Sequence, residues 1–284
     1  MGKAGLLLLI ISQFCAISAF SQLLDGKSLT PATVASLVQR VNSGTIVLLG
    51  ENHGLTAHRD QHLQVLQELR KSGLKISVGL EFVNYTDQGL ANDYRLQKMD
   101  EAAFLKAIGW AGFSFDFYRE QFNFPLISQG EYSLGLNLPR PVNSRISHDG
   151  LAALTPAERS LLPIDFALGR DSYRQRFMLA AGAHCKSPDN CFAAQCAWDD
   201  TMANTAVEFL NAHPEQVLVI VVGEFHVQYG GGIGHRILER RPNTNIVSLS
   251  QIWAEDMSEE EVQQALQPSL VEGPRADFIW VSRP

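Results

Sequence analysis

The sequence predicts an α/β fold, with a mostly parallel sheet, flanking helices and a helical cap inserted between strands. Short runs rich in valine, isoleucine and leucine alternate along the chain with stretches of helical spacing, which is the pattern of βαβ units. Two of these runs end alike. Residues 47–50 lead into Glu51-Asn52-His53, and residues 219–223 lead into Glu224-Phe225-His226. Because ligands of open α/β sheets bind beyond the carboxyl ends of the strands, we expect both motifs at one edge of one sheet.

The first half of the chain supplies three strands and the helices between them. Residues 22–30 are polar and are expected to be irregular, and Thr30-Pro31 predicts a helix start, as an N-cap followed by proline at the first helical position. Runs of β-branched residues and leucine bounded by glycine predict the strands. In order, we expect a helix over 31–41, strands over 45–49 and 76–82 separated by a helix over 58–72, a helical insert over 87–108 and a strand over 132–138.

The second half continues the alternation after a helical region. Short helices with proline breaks are expected over 144–163, because proline interrupts the helical pattern there. Two longer helices follow, and a glycine-rich turn at 230–234 leads into a short helix that ends near 241. The remaining elements are helices over 164–183, 190–212 and 258–266 and strands over 216–222, 245–249 and 278–281.

The composition indicates one globular unit that does not bind nucleic acid. The chain has 284 residues, 45% of them hydrophobic and 19% charged, with a formal net charge of −7. A negative chain without a basic cluster does not attract a phosphate backbone. We find no repeat and no low-complexity linker, so the sequence predicts a single domain over 22–284, with residues 87–212 as a helical cap over the sheet edge.

Residues 1–21 have the features of a signal peptide. A lysine near the start precedes a mostly apolar stretch over 6–20, which is short for a membrane span and suits a signal sequence. Small residues at −3 and −1 predict cleavage before Gln22. The bulky Phe14 just before Cys15 argues against a lipidation motif. We therefore expect an exported protein, periplasmic or secreted, rather than one anchored to the outer membrane by lipid.

Three cysteines remain after cleavage, namely Cys185, Cys191 and Cys196. In an oxidising compartment the simplest pairing is Cys185 with Cys191, which closes a short loop. Cys196 is then left over. A zinc cluster would need more cysteines or histidines at tight spacing.

Polar side chains follow four of the predicted strands and are the candidate site residues. His53 and His226, with Glu81, form a set that suits zinc, iron or manganese. Ligands of one ion would have to lie within about 10 Å of each other. Carboxylates can instead orient an imidazole or act as a base towards water. The full set is Glu51, His53, Glu81, Asn137, Arg140, Glu224 and His226.

Two further histidines and an aromatic segment have two interpretations each. His58 and His62 share a helix face at the spacing of a two-histidine metal site, but the glutamate of the metalloprotease motif is missing between them. They are either ligands or substrate contacts, or ordinary histidines. The aromatic residues over 110–124 belong either to the core or to the wall of a site for a flat apolar ligand.

Three tyrosines are candidate iron ligands, since a tyrosine phenolate is an established axial ligand of ferric haem. They are Tyr118, Tyr132 and Tyr229. Tyr229 follows His226 by three residues, which places it nearest to the expected site.

Taken together, these motifs resemble the ChaN-type proteins of the haem-binding uptake and Tiki superfamily. The resemblance covers about residues 45–250, most of the mature chain. The segments that carry it are Gly50-Glu51-Asn52-His53, Gly79-Leu80-Glu81-Phe82, Gly135-Leu136-Asn137-Leu138-Pro139-Arg140, Gln195-x-x-x-Asp199-x-x-Met202-Ala203 and Gly223-Glu224-Phe225-His226-Val227-Gln228-Tyr229-Gly230.

The resemblance implies an α/β fold, a bacterial cell-envelope location and iron-regulated haem binding, with haem held by a homodimer in the ChaN branch. The wider superfamily also contains metal-dependent proteases and esterase-like hydrolases. Their paired Gly-x-x-His motifs and strand-end glutamate correspond here to His53, His226 and Glu81. This chain lacks a convincing lipobox, and no single tyrosine matches the family's tyrosine ligand.

Two functions follow as hypotheses. The first is an exported haem- or iron-binding protein whose haem contacts come from His53, His226, Tyr229, Tyr118, Asn137 and Arg140. The second is a hydrolase, a peptidase or esterase, that uses a divalent metal such as zinc or manganese, with Glu51, Glu81 or Glu224 as its base. A third hypothesis is a scaffold in which the motifs only hold strand ends.

Overall fold

The computed structural model describes residues 21–181 and 184–283. A seven-stranded sheet in the order β1-β7-β6-β2-β5-β3-β4 forms its centre. All neighbouring strands are parallel except β1, which runs antiparallel to β7. The predicted α/β class and the mostly parallel sheet are confirmed. The strands are β1 (Gln22–Asp25), β2 (Ile46–Glu51), β3 (Lys75–Asn84), β4 (Ser133–Asn137), β5 (Gln216–Gly223), β6 (Ile246–Trp253) and β7 (Phe278–Ser282).

Helices cover both faces of this sheet and the end at which the parallel strands have their carboxyl termini. In the described part of the chain they are α1 (Val34–Val38), α2 (Thr56–Lys71), α3 (Gln88–Arg95), α4 (Glu101–Ala107), α5 (Arg119–Asn123), α6 (Arg140–Asp149), α7 (Pro156–Arg159), α8 (Asp171–Ala181), α9 (Pro188–Ala212), α10 (Ile233–Arg240) and α11 (Glu259–Leu266).

Alternate residues of the central strands enter two separate cores, because successive side chains of a strand point to opposite faces. Val47 and Leu49 of β2 pack on one face with Leu66 of α2, and the same core takes aromatic rings from α4 and α5. Ile46 and Leu48 enter the other core. The near-continuous apolar sequence of β2 and β5 is what burial on both faces requires.

The second core holds α9 and α10 against the opposite face. Met202 and Ala206 of α9 and Ile237 of α10 pack there on Leu218 and Ile220 of β5. This packing fixes one half of α9 on the sheet and leaves its other half to project beyond the carboxyl ends of the strands.

The predicted cap at 87–212 divides between these two positions. α8 and the first half of α9 lie over the carboxyl edge, where Phe177 and Trp198 line a cavity. α3 to α5 and the second half of α9 pack on the faces of the sheet.

Three predicted elements differ from the structure. Residues 22–25 form β1 rather than an irregular segment, because they pair with β7 at the far end of the chain. The first helix is shortened to α1, whose N-cap is Thr33 in a capping box with Ser36. The helix expected over 164–183 begins only at Asp171. Just before it, the Gly169 N–H donates to the Cys196 sulfur of α9 and not to a helical carbonyl.

Cys185 and Cys191 form the expected disulfide, with Cα atoms 6.3 Å apart. Cys196 is buried without a disulfide partner in the described residues, and burial raises the pKa of its thiol to about 12. Residues 1–20 of the predicted signal peptide, with Cys15, lie outside the part of the chain that the structure describes. None of the described helices combines the length and apolar character needed to cross a bilayer.

Candidate functional site

Strand register brings four predicted site segments together. β2, β5, β3 and β4 are neighbours in that order, and Glu51 at the end of β2 pairs directly with Gly223 at the end of β5. Glu81 lies near the end of β3, and Asn137 is the last residue of β4. The predicted meeting of these strand ends at one edge is confirmed.

His53 is held by the carboxylate that ends β2. Its Nδ1–H donates to Glu51 Oε1 over 2.9 Å. The same oxygen accepts from the hydroxyl of Tyr118 over 2.7 Å. Such a partner fixes the tautomer and the ring orientation, so the other imidazole nitrogen, Nε2, faces away from Glu51.

Glu81 lies between the two imidazoles. Its Oε2 accepts from the Gly223 N–H over 2.7 Å and is 3.9 Å from His53 Nε2. Its Oε1 is 3.6 Å from His226 Nε2. The prediction that His53, Glu81 and His226 lie within about 10 Å of each other is confirmed.

His226 has a carboxylate of its own, from α9. Its Nδ1–H donates to Asp199 Oδ1 over 2.6 Å. Asp199 Oδ2 accepts from the Tyr173 hydroxyl over 2.6 Å, and the Gln195 amide donates to the same hydroxyl. The site is therefore a chain in which tyrosine, carboxylate and imidazole repeat on each side of Glu81.

The glycines of the two motifs are required for close approach. A Cβ on Gly223 would lie 2.9 Å from His53 Nε2, and one on Gly50 would lie 2.3 Å from Glu224 Oε2. These distances are too short for non-bonded carbon contacts. The Gly-Glu-x-His pattern is thus a packing requirement as well as a chemical one.

The ionised forms of the side chains in this hydrogen-bonded series are strongly stabilised. Burial by itself lowers the pKa of His226, but Asp199 and Glu81 outweigh it and raise the pKa to about 10. Burial likewise opposes ionisation of Glu81, yet His226 and His53 hold its pKa at about 2. The pKa of His53 is raised, because Glu51 and Glu81 outweigh desolvation. At neutral pH Glu81 is therefore anionic and His226 is cationic.

A cavity of about 490 Å³, here called the imidazole cavity, opens beside this chain. His53 is the most accessible titratable residue in its lining. Its side chain is 27% exposed, whereas that of His226 is 6% exposed. Part of the lining is apolar and includes three aromatic rings. The lining residues are Glu51, Asn52, His53, Glu81, Phe177, Ala180, Ala181, Gln195, Trp198, Gly223, Glu224, Phe225, His226 and Gln228.

A second cavity of about 380 Å³, here called the polar cavity, adjoins the first and shares Glu81 and Trp198 with it. Asn137 and Arg140, both predicted site residues, line the polar cavity only. The other lining residues are Phe82, Asn84, Leu138, Asn143, Ser144, Ser147 and His148.

Glu224 is a structural carboxylate in this arrangement. It accepts from Ser250 and from the Gln251 N–H, and it pairs with Arg275 at 3.1 Å. Burial raises the pKa of Glu224. It touches the cavity but bonds to none of the imidazoles, so the structure does not support it as the predicted base.

The three predicted tyrosines line neither the imidazole cavity nor the polar cavity. Tyr118 is fully buried below Glu51, and burial with that carboxylate raises its pKa far above the usual value. Tyr132 packs on Phe209 and His213 at the start of β4, the opposite end of the sheet. For these two, access to a ligand at the site is contradicted.

Tyr229 is near the site but turned from it. Its backbone has φ 56°, and its ring lies under the guanidinium groups of Arg176 and Arg275. The predicted proximity to His226 holds along the chain, yet the ring does not line the cavity.

His58 and His62 are fully buried. The Asn52 N–H donates to His58 Nδ1, and His62 Nε2–H donates to the Gly50 carbonyl. Of the two predicted interpretations, the structural one is supported, because both rings brace the loop that carries His53.

The sequence motifs did not identify the residues that bond to His226 from the helices as site residues. Asp199, Gln195 and Tyr173 come from α8 and α9, more than 25 residues before His226. Asp199 and Gln195 occur in a segment that carries the family resemblance, which was the available signal for them. Tyr173 had no such signal.

The sequence matches the family described as haem-binding uptake, Tiki superfamily, ChaN, over residues 37–237. This match spans well over half of the chain. The chain belongs to this family. No curated protein matches it significantly in sequence.

A solved structure shows the same fold, and others are less similar. A structure described as cofacial haem binding to ChaN of Campylobacter jejuni has a TM-score of 0.67 and 17% sequence identity, covering 92% of this chain and 96% of that one. A mutant of the erythromycin esterase EreC in its open conformation gives 0.47 at 10% identity, covering 87% and 92%. The type III effector HopBA1 gives 0.43 at 12% identity, covering 94% and 99%. The last two likenesses are too weak to carry an argument.

The donor set suits a haem iron better than a free metal ion. His53 Nε2 reaches the cavity while Glu51 holds Nδ1, which is the arrangement of a metal-ligating histidine, and the apolar wall suits a porphyrin. Within the described ranges, no group of three or more His, Cys, Asp or Glu side chains is arranged to hold a metal ion. The predicted ligands His53, Glu81 and His226 converge but pair with one another, and their metal role stays a prediction.

Proposed function

We propose that this member of the haem-binding uptake family binds haem in the imidazole cavity and serves haem or iron uptake in the bacterial cell envelope. The observation that carries the proposal is His53. Its Nδ1–H is fixed by Glu51, and its ring is exposed to the cavity enough to meet a ligand.

His53 is a better candidate for the axial ligand than the other predicted residues. His226 is nearly buried, and its two nitrogens face Asp199 and Glu81. Tyr118 is buried in the core, and its hydroxyl donates to Glu51. Tyr229 is covered by two arginines.

The apolar wall supports a flat ligand. Phe177, Ala180 and Ala181 of α8 line the same cavity as the imidazoles, together with the rings of Trp198 and Phe225. Phe82 and Phe113 pack on His53, with ring centroids 4.7 and 5.4 Å away. When bound, haem would supply an iron centre and an absorption band that reports its ligand.

Export is part of the proposal. The Cys185–Cys191 disulfide supports an oxidising compartment, because such bonds are rare in a reducing cytosol. The homodimer that the resemblance implies stays a prediction. Light scattering of the protein with and without haemin would test it.

An absorption titration with haemin tests the proposal. We expect a saturable shift of the Soret band for the wild type and a loss of that shift in His53→Ala. Free imidazole added to His53→Ala should restore the shift, because it refills the space left by the side chain. A Soret shift that persists unchanged in His53→Ala would reject His53 as the ligand.

A hydrolase is the second candidate, and the carboxylate–imidazole chain is the observation that favours it. Glu51 orients His53 and raises its pKa, as expected for a general base that works near neutral pH. Glu81, with a pKa of about 2, is too weak a base for that role and would instead hold the imidazoles.

Activity measurements separate the two candidates. Hydrolysis of a simple aryl ester or of a peptide library by the wild type, abolished in His53→Ala, together with no Soret shift, would favour the hydrolase. Haemin binding without any turnover would favour haem uptake. Metal analysis of the purified protein would test the metal-dependent form of the hydrolase.

A further inference from the structure

The polar cavity carries a positively charged side chain that has no ion-pair partner in the part of the chain that the structure describes. Arg140 lines it at the start of α6, with an exposed side chain whose Nη2 donates to the Ala111 carbonyl over 3.2 Å. No carboxylate of the described residues forms an ion pair with it. By contrast, Arg176 beside the imidazole cavity is paired with Glu272.

A buried amide points to the same ligand chemistry. Asn137 is only 5% exposed and lines the polar cavity. Its Oδ1 accepts from the Leu138 N–H, but its Nδ2 has no acceptor among the described residues. The nitrogen is not sealed from the cavity, so this N–H₂ group is free to donate to an acceptor on a ligand there.

The backbone adds a third contribution. α6 has ten residues, and its N-cap is Pro139, with no side chain that caps the first turn. The amino end of a helix carries partial positive charge. Here that end lies at the rim of the cavity, between Asn137 and Arg140.

The acid that the two cavities share does not cancel this field. Glu81 also lines the polar cavity, but it pairs with His226 and His53. Its negative charge is balanced inside the imidazole chain. The charge of Arg140 is therefore left for a ligand.

Trp198 stands between the two cavities and is hydrogen-bonded in place. Trp198 lines both, and with the Asn143 amide oriented to satisfy its partners, Asn143 accepts from the Trp198 indole N–H and donates to the Ala194 carbonyl. One ligand can therefore have its apolar body in the imidazole cavity and a polar group beyond Trp198.

We propose that the polar cavity binds a carboxylate of the ligand whose body occupies the imidazole cavity, through Arg140, the Asn137 amide and the start of α6. The inference rests on the proposed function where the ligand is haem, whose edge bears two propionate groups. It defines the ligand class as a flat apolar molecule with a free carboxylate.

Haemin and its dimethyl ester test the proposal, since esterification removes both carboxylate charges. We expect the wild type to bind haemin about tenfold more tightly than the ester, the effect of one charge-assisted contact. Arg140→Gln should lose most of this preference, because only the Asn137 amide and the start of α6 then remain to meet a carboxylate. Arg159→Gln is the matched control, because Arg159 is also exposed and also bonds only to a backbone carbonyl, that of Leu151, away from both cavities. Equal binding of haemin and ester by the wild type would overturn the proposal and leave haem binding intact.

A second probe keeps the proposal testable if no porphyrin binds. Benzoate and benzamide differ chiefly in charge, and the fluorescence of Trp198, identified by comparison with Trp198→Phe, would report either. Preference for benzoate in the wild type, lost in Arg140→Gln, would support the carboxylate site while the haem proposal fails. No preference for benzoate would overturn the carboxylate site.

Discussion

Two pairs of histidines at one end of the sheet differ in the direction of their pKa shifts. The strand-end pair, His53 and His226, follows β2 and β5, whereas the helix pair, His58 and His62, lies on α2. Burial by itself acts to lower the pKa of the histidines in both pairs. The pKa of the strand-end pair is nevertheless raised, and that of the helix pair is lowered, to about 4 for His58.

The difference lies in what each ring nitrogen faces. Each strand-end histidine donates from Nδ1 to a carboxylate and directs Nε2 at Glu81. The helix pair bonds to the backbone of Gly50 and Asn52. The nearest acid to His62, Glu51, is 3.8 Å away, too far for a hydrogen bond. The direction of each pKa shift therefore follows the carboxylate partner of the ring and not its position at the edge.

The largest expected effect separates His53 from His58. Asparagine keeps a polar group near the position of Nδ1 and removes Nε2 in both cases. We expect His53→Asn to weaken haemin binding on the order of 100-fold, because the iron ligand is lost. His58→Asn should stay within about twofold of the wild type. Absorption titrations measure both, and equal losses in the two variants would contradict the distinction between the pairs.

The next largest expected effect is on stability and concerns Asp199, the carboxylate partner of His226. Asp199→Asn keeps an acceptor for Nδ1–H but removes the charge that stabilises the imidazolium. We expect the free energy of unfolding to fall by about 2–4 kcal/mol. Asp189→Asn on the same helix is the control. Asp189 forms an exposed ion pair with Arg174, and its loss should cost under about 1 kcal/mol. Urea unfolding of both variants gives the comparison.

The two pairs should also respond to pH in opposite directions. The pKa of His226 is raised from 6.5 to about 10. Its contribution to stability is therefore complete below pH 6.5 and is lost as pH rises towards 10. The pKa of His58 is lowered from 6.5 to about 4, so stability falls as pH drops through that interval.

Unfolding free energies measured across this range, without added ligand, would test these signs. His226→Asn should flatten the alkaline decline, and His58→Asn should flatten part of the acid decline. Glu81 adds to the acid limb between 4.5 and about 2. An alkaline limb unchanged in His226→Asn would show that His226 is neutral in the folded protein.

The smallest expected effect concerns the two tyrosines at the ends of the hydrogen-bonded series around Glu81. Tyr118→Phe and Tyr173→Phe each remove a hydroxyl that donates to an outer carboxylate, Glu51 or Asp199. Each should lower the free energy of unfolding by about 1.5 kcal/mol, since the acceptor is charged. Thermal unfolding measures both, and a much larger loss on one side would show that the two halves are not equivalent.

The sequence predicted the parts of this site that depend on local order. A strand that ends in Gly-Glu-x-His must deliver those residues to its carboxyl end, and parallel strands share that edge. Asp199 depends instead on how α9 docks against the sheet. β1 depends on pairing with β7, more than 250 residues away in the chain. Tyr118 belongs to an aromatic run whose spacing suits a core or a ligand equally, and only burial decides between them.

Iron-edge anomalous diffraction from crystals grown with haemin tests the central claim most directly. The account predicts one iron peak per chain in the imidazole cavity, within bonding distance of His53 Nε2, with Phe177 and Trp198 against the porphyrin. An iron peak bonded to Tyr229, or a porphyrin bound away from the ends of β2, β5 and β3, would contradict it.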